Sequence, residues 1–168
     1  MKGQELKRQR GFTLVELILV MVLIGAIFAV GSIILLRALD SYQYTTERAA
    51  LLERSRYCVD RVVREFQLLG TGDLTNVGAT SIQFVDDLGN NTSFNLNGTD
   101  LRRGNDVLCS NVTNLAFTCY NSTGGVTGSA LQTRRLRIDL TVQGGGTAGT
   151  VVLRGEAFMR GMMYDGYL

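Results

Sequence analysis

Residues 8–36 have the sequence RQRGFTLVELILVMVLIGAIFAVGSIILL, in which a short basic segment leads into a long apolar one. From Leu17 to Leu36 there are 20 residues without a charge, and a helix of that length covers about 30 Å, the thickness of a bilayer's hydrocarbon core. Basic side chains before the run favour a cytoplasmic N-terminus, with everything after Leu36 across the membrane. The stretch therefore predicts one membrane-spanning helix near the N-terminus.

The helix is predicted to continue well beyond the apolar run, because neither glycine nor proline occurs between Gly31 and Gly70. We expect one helix from Phe12 to Leu69. At 100° per residue, its second half has an apolar face made of Leu52, Val59, Val62, Val63, Phe66 and Leu69. Charged residues fall away from that face and are spaced for i,i+4 pairs on a solvated surface, namely Arg56–Asp60, Asp60–Arg64 and Arg61–Glu65.

After Gly70 the pattern changes to short runs rich in β-forming residues, separated by Asn/Gly clusters. Strands are predicted at 81–85, 92–96, 112–120, 136–142 and 150–159. Ile138, Leu140 and Val142 alternate with polar residues, which gives one strand an inward and an outward face. The sequence thus predicts an α+β fold, in which an antiparallel meander packs against the amphipathic half of one long N-terminal helix.

The net charge of +2 comes from the first residues, where one acidic side chain, Glu5, balances four basic ones, Lys2, Lys7, Arg8 and Arg10. Without residues 1–11 the chain carries 13 basic and 14 acidic side chains, which disfavours nucleic acid as a partner. A basic patch could still form from Arg102, Arg103, Arg134, Arg135 and Arg137, but scattered solvated arginines are the favoured interpretation.

Catalysis is disfavoured because the chain has no histidine, the commonest general base and metal ligand. No glycine-rich phosphate loop follows a predicted strand either, and the GGGTAG segment at 144–149 lies between two hairpin strands. We therefore expect a protein that is not an enzyme, with no catalytic residue, no cofactor and no metal site.

Residues 8–20, RQRGFTLVELILV, resemble the prepilin N-terminal signal of type IV pilins and of the pseudopilins of type II secretion. The resemblance implies that a membrane prepilin peptidase cleaves the Gly11–Phe12 bond and methylates the new amino group of Phe12. It implies that Glu16 pairs with this amine on a neighbouring subunit during filament assembly. The implied organisation is a cleaved leader at 1–11, a transmembrane and assembly helix at 12–36, and a periplasmic globular pilin-like domain at 37–168.

The chemistry of these residues fits the implied roles. A glycine at the cleavage site lets an extended backbone enter a peptidase cleft without a side-chain clash. Glu16 is the only charge between Arg10 and Arg37, and a carboxylate deep in lipid costs about 2.5–3.5 kcal/mol on insertion scales, so it needs a partner. The alternative is a glutamate that is tolerated because it lies near the membrane end of the run.

Two further segments, residues 47–67 and 101–125, resemble W-type minor pilins and J-type pseudopilins. This resemblance implies a minor subunit, with a major pilin or a tip adhesin or DNA-uptake subunit as alternatives. The implied partners are the prepilin peptidase, other pilins or pseudopilins, an assembly platform in the bacterial inner membrane, and the bilayer itself.

A conventional secretory signal peptide is the main rival from another class of protein. Ala29-Val30-Gly31 is a small-x-small cleavage site, and cutting there would release a soluble protein that begins at Ser32. The apolar run continues beyond that site through Leu36, which argues against it.

Three cysteines, Cys58, Cys109 and Cys119, allow at most one disulfide within the chain. An oxidising compartment beyond the membrane would permit one, and we favour Cys109 with Cys119 because they bracket a short segment. Pairing of Cys58 with one of the strand cysteines and buried free thiols are the alternatives.

Overall fold

The computed structural model describes residues 13–70, 72–146 and 148–159, and it contains one long helix followed by eight strands. Helix α1 runs from Leu14 to Leu68, which confirms the predicted element; its predicted first residue, Phe12, lies outside the described residues. The helix stops where the backbone N–H of Gly70 donates to the Asp73 carboxylate at 2.7 Å. Contacts divide the chain into two units, residues 1–43 and residues 44–168, and α1 contributes to both.

The first five strands form an antiparallel sheet in which spatial order follows sequence order. These strands are β1 (Leu74–Val77), β2 (Ser81–Val85), β3 (Asn91–Asn97), β4 (Asp100–Arg103) and β5 (Asp106–Cys109). Two-residue loops join β3 to β4 and β4 to β5, and each begins with a glycine at positive φ, 62° at Gly98 and 57° at Gly104. Strands β2 and β3 match the predicted runs, whereas β1, β4 and β5 were not predicted.

The last three strands form a second antiparallel sheet, with β6 at Val112–Tyr120, β7 at Arg135–Gln143 and β8 at Thr150–Phe158. The predicted single meander is therefore corrected to two sheets. The change of sheet falls between β5 and β6, where Asn111 has a φ of 60°, a conformation that asparagine adopts more readily than most residues. A left-handed residue at this point turns the chain out of the first sheet.

The core lies between the amphipathic half of α1 and the inner faces of both sheets. Helix residues Ser55, Cys58, Val59 and Val62 are buried at the i, i+3, i+4, i+7 spacing of one helical face, and Phe66 continues that face one turn later. The strands contribute alternating buried residues, among them Ile82, Phe84, Phe94, Leu101, Leu136, Ile138, Leu140 and Val142. The rings of Phe84 and Phe94 stack with centroids 5.3 Å apart.

Two details of the predicted helix face are corrected. Leu51, rather than Leu52, packs against the buried core. Glu65, expected on the solvated face, is only 9% exposed, because two arginines converge on its carboxylate and make its burial tolerable. Of the three expected i,i+4 pairs, Arg61–Glu65 forms at 2.6 Å.

Gly155 in the middle of β8 is the point at which α1 approaches the second sheet most tightly among the described glycines. A Cβ placed there would lie 2.5 Å from Val59 Cγ1, 2.9 Å from Val63 Cγ2 and 3.2 Å from Ile138 Cγ2. Real Cβ atoms do not approach carbon atoms so closely, so the absence of a side chain allows the helix to pack at this distance.

We expect Gly155→Ala to lower the free energy of unfolding by about 1–3 kcal/mol, because the added methyl overpacks the helix–sheet contact. Chemical denaturation of the full chain in detergent, followed by tyrosine near-ultraviolet circular dichroism, measures the change. The double variant Val59→Ala/Gly155→Ala should be less destabilised than the sum of its two single variants, since Val59→Ala removes the methyl that lies nearest to the added Cβ. Val152→Ala, on the same strand at a side chain that is 71% exposed, is the control.

Candidate functional site

The start of α1 is fixed by Thr13, which acts as the helix N-cap. Its hydroxyl accepts a hydrogen bond from the backbone N–H of Glu16 at 3.3 Å, and its carbonyl accepts one from the N–H of Leu17 at 3.2 Å. Thr13 and Glu16 have the S/T-x-x-E spacing of a capping box, which marks the helix start in the sequence itself. Glu16 thus lies in the first turn, where the helix dipole favours a negative charge.

The helix surface that follows Glu16 is apolar and solvent-accessible on all sides. Large side chains between Leu17 and Leu36 are 43–74% exposed, and none of this stretch is buried within the protein. Among the described residues, α1 is the one helix that is long and apolar enough to cross a membrane. This surface can be removed from water by lipid or by other helices.

The small residues in this stretch do not interrupt the helix. Gly25 and Gly31 are helical, and a Cβ added at either would meet nothing within 4 Å. Ser32 satisfies its hydroxyl by donating to the carbonyl of Ala29 at 2.9 Å. The glycines therefore leave open positions on the helix surface where another helix can approach closely.

Residues 6–36 match the family model of the prokaryotic N-terminal methylation motif. The chain carries a prepilin-type signal. The match spans the basic segment, the Gly11–Phe12 bond, Glu16 and the whole apolar run, and it is consistent with the type IV pilin and pseudopilin family. No curated protein matches the chain.

The predicted site residues of the chain divide into two groups. Gly11 and Phe12, the predicted cleavage and methylation residues, lie within the matched motif but outside the residues that the structure describes. Glu16 is described, and the bond to Thr13 engages its backbone N–H rather than its carboxylate. The carboxylate is exposed and stays available to another molecule.

The three cysteines of the chain are free and buried, so the structure does not join Cys109 to Cys119. Cys109 ends β5 in the first sheet and Cys119 lies on β6 in the second, and the side-chain partner of Cys109 is Cys58 on α1. Proximity along the chain did not indicate this neighbour, because the change of sheet at Asn111 puts Cys109 and Cys119 in different sheets.

The arginines considered for a basic patch are mostly paired with acidic groups. Arg103 donates to both oxygens of Glu65 at 2.8 and 2.7 Å and lies 3.6 Å from Asp86, and its pKa is raised chiefly by the bond to Glu65. Arg102, Arg135 and Arg137 lie 3.2–3.7 Å from carboxylates of Asp100, Glu156 and Asp139. Arg134 donates to backbone carbonyls of Leu131 and Thr133. A phosphate would have to displace these partners.

Within residues 13–70, 72–146 and 148–159, no group of three or more His, Cys, Asp or Glu side chains is arranged to hold a metal ion. Two features of these residues differ most from an ordinary solvated surface. They are the capped, apolar first part of α1 and the buried thiols of Cys58 and Cys109.

Proposed function

We propose that the chain is a minor pilin or pseudopilin, a non-catalytic subunit of a type IV pilus or of a type II secretion pseudopilus. One observation carries the proposal: the methylation motif at 6–36 includes the start of a helix that exposes an uncharged and almost wholly apolar surface from Leu17 to Leu36. A filament of packed N-terminal helices buries such a surface, and a bilayer holds it before assembly.

In this proposal a prepilin peptidase cuts between Gly11 and Phe12 on the cytoplasmic side and methylates the amine of Phe12. The chain is then a single-pass inner-membrane protein, with its N-terminus cytoplasmic and residues 37–168 in the periplasm, and an assembly platform moves it into the filament. The basic leader before the apolar run supports this orientation.

Glu16 is the proposed assembly contact, through its carboxylate and the Phe12 amine of a neighbouring subunit. Its position in the first helical turn supports this role, because the helix dipole there favours a negative charge and the capping bond leaves the carboxylate oxygens free. In a low-dielectric helix bundle an unpaired carboxylate is costly, so a cationic partner stabilises the assembled state strongly.

The finer assignment to a minor subunit rests on the resemblance of residues 47–67 and 101–125 to W-type minor pilins and J-type pseudopilins. Internal ion pairing of the arginines favours a structural subunit over one that takes up DNA.

The test compares the full chain with Glu16→Ala and Glu16→Gln in a cell that supplies a prepilin peptidase and the filament machinery. All three should begin at N-methylated Phe12, whereas both variants should be at least ten-fold depleted from sheared filaments. Alanine and glutamine keep the capping bond, which uses the backbone N–H, so a defect reports the lost charge. Terminal sequencing and quantitative immunoblotting provide the two measurements.

Glu53→Ala removes an exposed carboxylate from the same helix outside the apolar run, and it should be processed and incorporated normally. A mature protein that begins at Ser32 would identify a conventional signal peptide and overturn the proposal. Wild-type incorporation of both Glu16 variants would remove the assembly role from Glu16.

A further inference from the structure

The thiols of Cys58 on α1 and Cys109 at the end of β5 meet in the core, at 1% and 7% exposure. The Cys58 thiol lies 3.1 Å from the carbonyl oxygen of Leu108, the residue before Cys109. The two thiols also act on each other, since each is the largest cause of the shift in the other's pKa. The shared core and the contact between Cys58 and the residue that precedes Cys109 therefore bring the two cysteines together, although they lie far apart in sequence.

We propose that Cys58 and Cys109 are a redox site that closes to a disulfide and ties helix α1 to the edge strand of the five-stranded sheet. Thiols in side-chain contact are within reach of a sulfur–sulfur bond after rotation about their own side-chain bonds. The location of residues beyond Leu36 in an oxidising compartment rests on the proposed function; the pairing itself does not.

The third cysteine is excluded from this pair by its surroundings. Cys119 is buried at 2% exposure on β6, where its side-chain partner is Thr133. Burial raises the pKa of Cys119 to about 11, so its thiol stays protonated and is a poor nucleophile at neutral pH. The odd cysteine count is accounted for by one reactive pair and one inert core thiol.

An oxidant can reach the pair from the Cys109 side. An open cleft of about 690 Å³ lies beside α1 and β5, and Cys109 lines it together with Arg54, Tyr57, Val107 and Asn111. Cys58 does not line this cleft. Cys109 is therefore the thiol that reacts first with an oxidant, and Cys58 is the resolving thiol that then attacks the Cys109 sulfur.

The chemistry of the pair agrees with this order. The hydrogen bond with Cys58 lowers the pKa of Cys109, whereas this contact and burial raise the pKa of Cys58. The Cys109 thiolate attacks one sulfur of a disulfide R–S–S–R′, which breaks that bond and releases R′–S⁻. Cys58 then gives its proton to the released thiolate and attacks the Cys109 sulfur, which releases R–S⁻. Two thiols have lost two protons and two electrons, and the disulfide oxidant has become two thiols.

Closing this bond has a mechanical consequence for the fold. It joins the buried face of α1 to the last strand of the first sheet, across a long loop of chain. A crosslink over a long loop restricts the unfolded chain most strongly. The oxidised chain resists separation of the sheet from the helix.

The test uses the purified full chain in detergent, first reduced and then equilibrated with oxidised glutathione. Intact mass should fall by two hydrogen atoms, and non-reducing digestion should give one linked peptide that joins Cys58 to Cys109. Cys119 should be alkylated only after unfolding. The midpoint of thermal unfolding should rise by about 10 °C relative to the same protein after reduction, as expected for a long closed loop.

Cys119→Ser should keep the linked peptide and the upward shift, whereas Cys109→Ser should lose both. The wild-type chain measured reduced and oxidised provides the comparison even if a cysteine variant folds poorly. Three alkylatable thiols after equilibration, or a linked peptide that contains Cys119, would overturn the proposal. None of these measurements depends on processing at Gly11, so a failure here leaves the proposed function standing.

Discussion

Replacing Gly11 by leucine should leave nearly all of the chain as the uncut precursor in the membrane. The proposed cut follows Gly11 directly, and an extended backbone at a cleavage site must lie close to the catalytic wall of the peptidase. Glycine has no Cβ and allows that approach, whereas a leucine side chain occupies the space that the backbone needs. The expected loss of processing is at least ten-fold, which corresponds to about 1.4 kcal/mol or more in the cleavage step.

Intact-mass measurement separates the precursor from a product that begins at N-methylated Phe12. Gly3→Leu is the matched control, because Gly3 also lies in the leader but precedes the matched motif at 6–36. It should be cut at the normal rate. Cleavage of Gly11→Leu at the rate of the control would place the true cut elsewhere.

Arg103→Met should lower the free energy of unfolding by about 2–4 kcal/mol. The Arg103 guanidinium donates to both carboxylate oxygens of Glu65, whose side chain is only 10% exposed. Removing one partner of a buried pair leaves an uncompensated charge, which costs more than the pair contributed. The expected loss of stability is smaller than for a fully buried ion pair, because Arg61 still lies 2.6 Å from Glu65 and the Arg103 side chain is 25% exposed.

A double change tests whether the cost comes from the stranded carboxylate. Glu65→Leu/Arg103→Met replaces both charges by apolar groups and should recover stability to within about 1 kcal/mol of wild type. Arg154→Met breaks a 2.6 Å pair with Asp139 in which the arginine is 63% exposed, and it should cost much less stability than Arg103→Met because solvent screens the pair. Urea unfolding of the four proteins gives the comparison. Equal losses for Arg103→Met and Arg154→Met would show that the buried pair contributes no more than a surface one.

The elements with long, regular patterns were predictable from sequence. The 3.6-residue period and the absence of helix breakers located α1 almost to its ends, and the period of two located β2, β3, β6, β7 and β8. Strands β1, β4 and β5 have four residues each, too few to establish a period, and β4 carries two arginines. Their signal was in the loops, where Gly98 and Gly104 each begin a two-residue hairpin turn.

Partners that come together only in the folded chain could not be derived from local pattern. Glu65 looked solvated because its own helix offers charged neighbours, and its burial depends on Arg103, 38 positions away. The Cys58–Cys109 contact likewise depends on where β5 meets the helix. The motif at 6–36 was recognisable because its residues are consecutive, whereas the change from one sheet to the other is marked locally only by a left-handed residue, Asn111.

In both sheets, strands that are neighbours in space are also consecutive in sequence. Closing such hairpins costs little chain entropy, so each sheet can form rapidly and independently. Contacts between the sheets and α1 span much longer stretches of chain, and we infer that they form last. Until then the helix face from Ser55 to Phe66, which is buried in the folded chain, remains exposed to water and can contact other apolar surfaces. The lag between hairpin formation and docking is therefore the interval in which newly made chains are most prone to aggregate or to be held by a chaperone.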